Sequence, residues 1–473
     1  MNSLLRVKTV ELKHLFPFEI VEKGSKVIIY GFGNVGKSYF YQVLESSYCK
    51  LVGISDQLAM NDVDGIPYIP IDQLYKIEFD SLIIAIEDFG RASEAYHNLC
   101  EFGIEKSRII NMCFRANQQF LPRDKCIDKA ATNEHENLII GLVLRGGLGD
   151  CVVHEAVYER LSEWCKKAQF YIYCVKEFGD EVFCEKSNIK EIIEIDKFEK
   201  SRHQIEFDVI LSLRLYITVI ELNEQVVEKK APNLLKILKK LDVTICESDN
   251  AHTSMHGDLV LLHRALLNGQ NRFSFLGGEL FSLSPDMVHI KCESVEQDSI
   301  VQELPLRFIT VNWGANLWLL NFNKQQIKIA SRQLFEELID LLHERNKNLK
   351  ILQLGDRNAK KLKNADGYIF DRPLKQVKRV LEKSILHIDC EGGLVHLATA
   401  LGTKCVVLFG PTPMFFYEYS KNINISSNTC GWCMGVLEDW FVKCCRGYEI
   451  PPCMNNLCAE TIVNSITEYL VDK

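Results

Sequence analysis

Asn137-Leu138-Ile139-Ile140-Gly141-Leu142-Val143-Leu144-Arg145-Gly146-Gly147-Leu148-Gly149-Asp150 decides the fold class. Eight residues, almost all apolar, are too few for a globular helix and suit a strand buried on both faces. Three glycines in four positions then turn the chain tightly. Asp150 stands where the next helix, expected from about 152 to 166, begins. A buried strand, a glycine turn and a helix make the first half of a βαβ unit, so a parallel sheet covered by helices is predicted.

The same grammar recurs on both sides. Upstream, Lys26 to Tyr30 is a short strand that enters Gly31-Phe32-Gly33-Asn34-Val35-Gly36, and further strands are expected at 50–56, 81–86 and 108–110. Residues 124–137 are rich in charge and read as a linker. Downstream of the central stretch, strands are expected at 170–174 and 207–211. The region 245–300 shows no clear period and reads as a connection between two halves. A third run of strands follows at 307–312, 349–354, 385–389 and 404–409, with a helix over 331–345. The expected architecture is α/β, with a small Rossmann-like unit over 1–125 and two further Rossmann-like units over 137–300 and 301–473.

Composition agrees with this division. At roughly 100–200 residues per domain, a chain of 473 residues holds about three. Hydrophobic residues make up 47%, enough for extensive cores, and charged residues 25%. The net charge of −8 argues against a protein that covers a nucleic-acid backbone with positive charge. The N-terminal residues lack the apolar stretch of a secretory signal, and every apolar run is strand-length, far below the ~20 residues of a membrane span. A cytoplasmic protein is expected. Contact with the inner face of the cytoplasmic membrane and self-association stay open.

Four features can carry chemistry. The first is Gly31-x-Gly33-x-x-Gly36 followed by Asp56. Glycines at these spacings let a diphosphate approach a helix N-terminus, and an acid some twenty residues on can reach a ribose hydroxyl. The alternative is a turn kept for backbone reasons that binds nothing. The unit is also short for two mononucleotide halves. The second is the turn ending in Asp150, either a functional carboxylate or a plain helix cap. The third is Glu391-Gly392-Gly393-Leu394-Val395-His396 at another strand-to-helix junction, whose N–H groups can hold phosphate oxygens. Gly410-Pro411-Thr412 ends the next strand and would line the same crevice. The fourth is a terminal cysteine cluster. Six of the 18 cysteines fall between 430 and 458. Cys430-x-x-Cys433 with two later thiolates can hold a tetrahedral zinc or iron ion; unliganded thiols are the alternative.

Residues 137–473 resemble glycosyltransferase family 9, the ADP-heptose transferases of bacterial surface glycans. The resemblance rests on four blocks in order: Gly147-Leu148-Gly149-Asp150, Lys328 seven residues before Phe335, Gly393-Leu394-Val395-His396-Leu397-Ala398-x-Ala400-Leu401, and Leu408-Phe409-Gly410-Pro411-Thr412. It implies a GT-B pair of Rossmann-like domains, acceptor half first and donor half second, and an inverting transfer such as those of lipopolysaccharide biosynthesis. Asp150 matches the base that takes the acceptor proton. Lys328 matches the lysine on the donor diphosphate. Gly393, Leu394 and His396 match the donor loop, with Glu391, Gly392, Gly410 and Thr412 beside it. No organic cofactor is implied; the partners are a nucleotide-sugar donor and a glycan or protein acceptor.

The family usually carries Asp where Glu391 stands, and a Trp-Pro pair where Ile329 and Ala330 follow Lys328. The cysteine cluster resembles the four-cysteine iron finger of autotransporter heptosyltransferases, which makes Cys430, Cys433, Cys444 and Cys453 the implied ligands and Cys445 the rival. Residues 1–125 lie outside the family. They resemble small nucleotide-binding-like domains attached to bacterial sugar-modifying enzymes, through Val63-Asp64-Gly65-Ile66-Pro67 and Ile69-Pro70. On that unit rest two other readings, an NAD(P)-dependent oxidoreductase or a sugar-nucleotide-binding protein; a non-catalytic scaffold is a third.

Overall fold

The computed structural model describes residues 16–17, 21–58, 61–86, 89–111, 127–128, 137–249, 262, 265–266, 269–292, 299–314, 327–427, 429, 432–434, 444 and 448–471. Three sheets follow one another along the chain. In the first, β1 (Lys26–Tyr30) leads through α1 (Asn34–Ser46) to β2 (Lys50–Ser55), and β3 (Ser81–Ile84) leads through α2 (Phe89–Glu101) to β4 (Ile109–Asn111). All four strands are parallel, in the order β2-β1-β3-β4. Chain direction across the sheet reverses between β1 and β3, which opens a crevice at the carboxyl ends of these strands.

The second sheet holds β5 (Ile127–Asp128), β6 (Ile139–Leu144), β7 (Gln169–Cys174), β8 (Ile189–Glu194), β9 (Val209–Leu213) and β10 (Ile217–Leu222), ordered β5-β10-β9-β6-β7-β8. β6 is the stretch quoted above, and its last five residues are buried. Two features depart from expectation. β10 pairs antiparallel with β9, because only the three residues Arg214-Leu215-Tyr216 separate them and so short a link permits only a hairpin. β5 lies inside the stretch read as a linker and pairs with β10; a two-residue strand leaves no periodic trace in sequence. α3 (Leu148–Trp164) starts at the glycine turn, four residues earlier than expected, and α4 (Lys176–Val182) follows β7. Beyond β10 come α5 (Pro232–Asp249) and α6 (Arg272–Phe281).

The third sheet is fully parallel. It comprises β11 (Phe308–Asn312), β12 (Lys350–Gly355), β13 (Gly367–Phe370), β14 (Leu386–Cys390), β15 (Lys404–Phe409) and β16 (Ile423–Ser426), ordered β13-β12-β11-β14-β15-β16. This is the strand order of the doubly wound dinucleotide fold, with its switch point between β11 and β14. The longer helices are α7 (Arg332–Arg345), α8 (Leu374–Lys383), α9 (Gly393–Ala400) and α10 (Ala459–Val471). The α/β class and the GT-B-type pair of facing sheets are as expected.

The second and third sheets share one continuous core, in which α3 meets α9. Away from the glycine turns the seam is held by α4 and α8. Glu177 Oε1 accepts the Leu374 N–H at 3.2 Å, and the buried Lys378 Nζ meets Glu181 Oε2 at 2.9 Å. No described helix is long and apolar enough to cross a membrane.

Candidate active site

Two helix N-termini meet at the seam, and the glycines explain how. A Cβ added at Gly149 would stand 2.8 Å from His396 Cδ2 and 3.3 Å from Gly393 Cα; one added at Gly393 would stand 3.2 Å from the Gly149 nitrogen. The first turns of α3 and α9 therefore rest directly on one another, and only residues without side chains permit it. Asp150 and His396 come from different sheets and face one crevice.

Asp150 is held from two sides. Its Oδ2 accepts the Gly147 N–H at 3.1 Å, capping α3. Its Oδ1 accepts from Arg272 Nη2 at 3.2 Å. The side chain remains 39% exposed, so it faces the crevice. Burial pushes its carboxyl up, but the Arg272 guanidinium, His154 and the Gly147 amide outweigh that and hold it below its ordinary value. It is a carboxylate at neutral pH.

Arg272 is the residue sequence reasoning missed. It lies at the start of α6, 122 residues from Asp150 and within the region read as a mere connection. It is 1% exposed. A guanidinium so deep must be paired. Nη1 donates to the Leu215 carbonyl at 2.9 Å and Nη2 to the Arg214 carbonyl at 2.6 Å, both in the β9–β10 hairpin, while Nε has no partner. Beneath it lies His154, wholly buried, with Nε2 2.9 Å from the Arg214 carbonyl and Nδ1 unpartnered. Burial first, then the Arg272 charge, lowers the His154 pKa to about 4. The ring is neutral and donates through Nε2. Its signal in sequence was only its place four residues after Asp150, one helical turn along α3.

On the other wall, Glu391 follows β14 at the switch point. Its Oε2 lies 3.5 Å from Lys328 Nζ, and its Oε1 3.9 Å from His396 Nε2. His396 Nδ1 is 2.7 Å from Tyr419 Oη. The nearby carboxylate favours the tautomer with its proton on Nε2, Tyr419 then donating to Nδ1. Burial lowers the His396 pKa; Glu391 and Asp150 oppose this, and Arg272 and Lys328 add to it. Tyr417 packs edge-on to the same ring at 6.0 Å. Neither tyrosine was expected. Asp389, two residues back, is buried in the sheet with Asn312 Nδ2 at 2.9 Å and His387 Nε2 at 3.6 Å, and it takes no part in the crevice. Glu391 is therefore the carboxylate on this wall, and its greater length carries it to Lys328.

The other expected residues fare differently. Gly392 is extended, and Leu394 packs into the shared core. Gly410 answers to packing: a Cβ there would stand 2.1 Å from Met454 Sδ and 3.5 Å from Cys453 Sγ. Thr412 is buried with its hydroxyl unpartnered. Gly31, Gly33 and Gly36 form a separate turn in the first sheet, with Asp56 beside it, and among the described residues none of the four bonds to Asp150, Glu391 or His396. Cys430 and Cys445 lie outside the described residues. Cys433 and Cys453 both approach the end of β15, the first through its N–H to the Pro411 carbonyl at 2.9 Å, the second beside Gly410. Cys433 packs in the core of the first sheet and Cys453 in that of the third. Among the described residues no three His, Cys, Asp or Glu side chains group as metal ligands. No step is assigned to a metal.

A family model described as glycosyltransferase family 9 (heptosyltransferase) matches residues 331–438. A search of curated proteins finds no match. Among solved structures, a glycosyl transferase family 9 protein from Veillonella parvula DSM 2008 is 14% identical, with 73% of this chain and 100% of that one covered, at a TM-score of 0.45. The E. coli ADP-heptose lps heptosyltransferase II is 12% identical over 71% of this chain and 99% of its own, at 0.45. The iron-containing dodecameric glycosyltransferase TibC from enterotoxigenic E. coli H10407 is 14% identical over 71% and 81%, at 0.49. The matched family segment contains Glu391, Gly393 and His396 on one wall of the crevice, though not Lys328, and supports a glycosyltransferase.

Proposed function

We propose that the chain transfers a sugar, with inversion, from a nucleotide diphosphate donor, a heptose from ADP-heptose being the reading that the family match favours. The acceptor is a hydroxyl of a bacterial surface glycan or of a protein, and the reaction takes place in the cytoplasm or at the inner membrane face. The observation that carries it is the meeting of Asp150, from one sheet, with Glu391, Lys328 and His396, from the switch point of the other.

The chemistry follows from this placement. The donor diphosphate lies at the N-terminus of α9, where unpaired N–H groups and the helix dipole favour negative charge. Lys328 offsets the charge that grows on the leaving phosphate as the glycosidic bond breaks. The acceptor hydroxyl enters from the α3 side. Asp150 takes its proton as the oxygen attacks the anomeric carbon from the face opposite the leaving group, and one displacement inverts that centre. Arg272 keeps Asp150 ionised and aimed. The neutral His396 donates through Nε2 to a donor oxygen.

Asp150→Asn preserves the cap and removes the base. We expect unchanged nucleotide affinity and transfer slowed by about 10²–10⁴-fold. Normal turnover would refute the mechanism. The terminal cysteines are read as a structural iron or zinc site on Cys430, Cys433, Cys444 and Cys453, carried by sequence spacing alone. It plays no part in the transfer.

A further inference from the structure

The transfer leaves the glycine turn of the first sheet unused, and the three glycines there differ in a way that matters. Gly31 is demanded by the fold: its φ is +92°, and a Cβ would stand 2.8 Å from Ile86 Cγ1. Gly36 is demanded too, since a Cβ would stand 1.9 Å from the Gly31 carbonyl oxygen. Gly33 is not. Its φ of −72° suits any residue, and a Cβ would meet nothing within 4 Å. The middle glycine is the one that close approach of a diphosphate requires.

Three further observations point to a ligand. Gly33 is the N-cap of the 13-residue α1, which has no side-chain cap and no acidic residue in its first turn, so no side chain of the helix itself offsets its positive end. Ser55 ends β2 between this turn and Asp56. It is wholly buried, its backbone carbonyl accepts the Gly31 N–H at 2.8 Å, and its hydroxyl has no hydrogen-bond partner. Asp56 Oδ2 accepts the Phe32 N–H at 2.6 Å and Oδ1 the Leu58 N–H at 3.0 Å. These ties fix the carboxylate beside the turn and leave about two of its four lone-pair sites for a ribose hydroxyl.

The stretch also reads Gly31-x₄-Gly36-Lys37-Ser38, the spacing of a triphosphate-binding P-loop. The geometry rejects that reading. α1 begins at Asn34, so Gly36 is already inside the helix. Ser38 is 3% exposed and its hydroxyl accepts from Gln42 Nε2 at 3.0 Å within the core.

We propose that the first sheet binds a ribose-diphosphate group at the Gly33–Asp56 crevice, with the diphosphate on the N-terminus of α1 and the ribose on Asp56, as a second nucleotide site separate from the transfer crevice. The exposed Lys37 in the first turn of α1 adds a cation at its mouth. No covalent step is involved.

The test is equilibrium dialysis of the full chain with ADP-ribose. Gly33→Asp supplies a favourable N-cap, so folding should hold with Tm within about 2 °C, yet it places a negative charge where the diphosphate would lie. We expect the wild type to bind at two sites, Gly33→Asp to weaken one at least about tenfold, and Lys328→Ala to weaken only the other. Lys37→Glu, at an exposed position, should act in the same direction as Gly33→Asp and covers any folding defect of the latter. Binding lost wholly with Gly33→Asp and untouched by Lys328→Ala would support this site and break the donor reading. Binding untouched by both Gly33→Asp and Lys37→Glu would overturn the proposal. Repeating the titration with NAD+ and with ADP-glucose assigns the site to a dinucleotide or to a sugar nucleotide.

Discussion

The glycine turns before α1 and α3 look alike in sequence and are built for different ends. Within the first turn of α3, Gly149 has no room for a side chain because the other half of the protein presses on it, His396 Cδ2 lying 2.8 Å from where its Cβ would be, whereas the N-cap Gly147 just before it faces open space. Before α1, Gly33 faces open space. Their aspartates differ as well. Asp150 has a backbone amide on one oxygen and a buried guanidinium on the other. Asp56 has backbone amides on both. An amide pair orients a carboxylate. A buried cation also fixes its charge and withholds it from solvent-driven protonation. The first arrangement suits holding a hydroxyl, the second suits taking a proton from one.

The sharpest way to break this contrast is to add the same side chain to both turns. Gly149→Val forces α3 and α9 apart. It should cost transfer at least about 10²-fold, since displacements of an ångström at a reacting centre carry penalties of that size. Gly33→Val should leave transfer within about twofold, because nothing packs there. Steady-state transfer rates of the two variants decide. Equal losses would mean that the two turns serve one site.

Next in size is an effect on stability beneath the α3 turn. His154 ionises at about 4 when folded, against its ordinary 6.5. Between those values the unfolded chain binds the proton and the folded chain does not, so stability falls as pH drops from about 6.5 to about 4 and is unaffected above 6.5. The full loss is about 3 kcal/mol. His154→Leu should flatten that slope in denaturant titrations at pH 7 and pH 4.5. Among the described residues no histidine or carboxyl side chain is buried under the α1 turn in this way, so the contrast between the two turns predicts acid sensitivity beneath α3 and not beneath α1.

Much of this was legible in the sequence, and what was not has a physical reason. The three strand–turn–helix junctions at 31–36, 145–150 and 391–396 announce themselves through apolar strands and clustered glycine. Asp150 and His396 stand inside them, so their roles could be guessed. Their contact across the seam could not, because it joins residues almost 250 positions apart. β10 escaped because a hairpin partner within a mostly parallel sheet follows no βαβ rhythm. Arg272 escaped because no strand leads into α6, so its segment carries no strand–turn–helix signal, and because a lone arginine in a segment without clear period reads as a solvated residue. Its burial arises only when the β9–β10 hairpin offers the Arg214 and Leu215 carbonyls. The cysteine cluster is prominent in the sequence through its spacing, but Cys430 and Cys445 lie outside the described residues.

The smallest effect is on the acid side of the rate profile. Arg272 is what distinguishes Asp150 from Asp56, and Arg272→Met removes its charge while retaining much of its apolar length. The Leu215 carbonyl loses its donor and the Arg214 carbonyl keeps that of His154, so some stability goes with it. The informative readout is therefore pH dependence and not rate alone. With Arg272 present, Asp150 stays ionised to below the ordinary carboxylate range, and transfer persists as pH falls through 5. Without it, burial is no longer outweighed and the Asp150 pKa rises. The acid limb of kcat/KM should then move to higher pH, with a loss of about tenfold or less at pH 8, where Asp150 is ionised in either protein. Arg272→Lys keeps a positive charge at the site and should restore the limb even if it packs less well. A merely structural arginine would lower the rate equally at every pH and leave the limb in place.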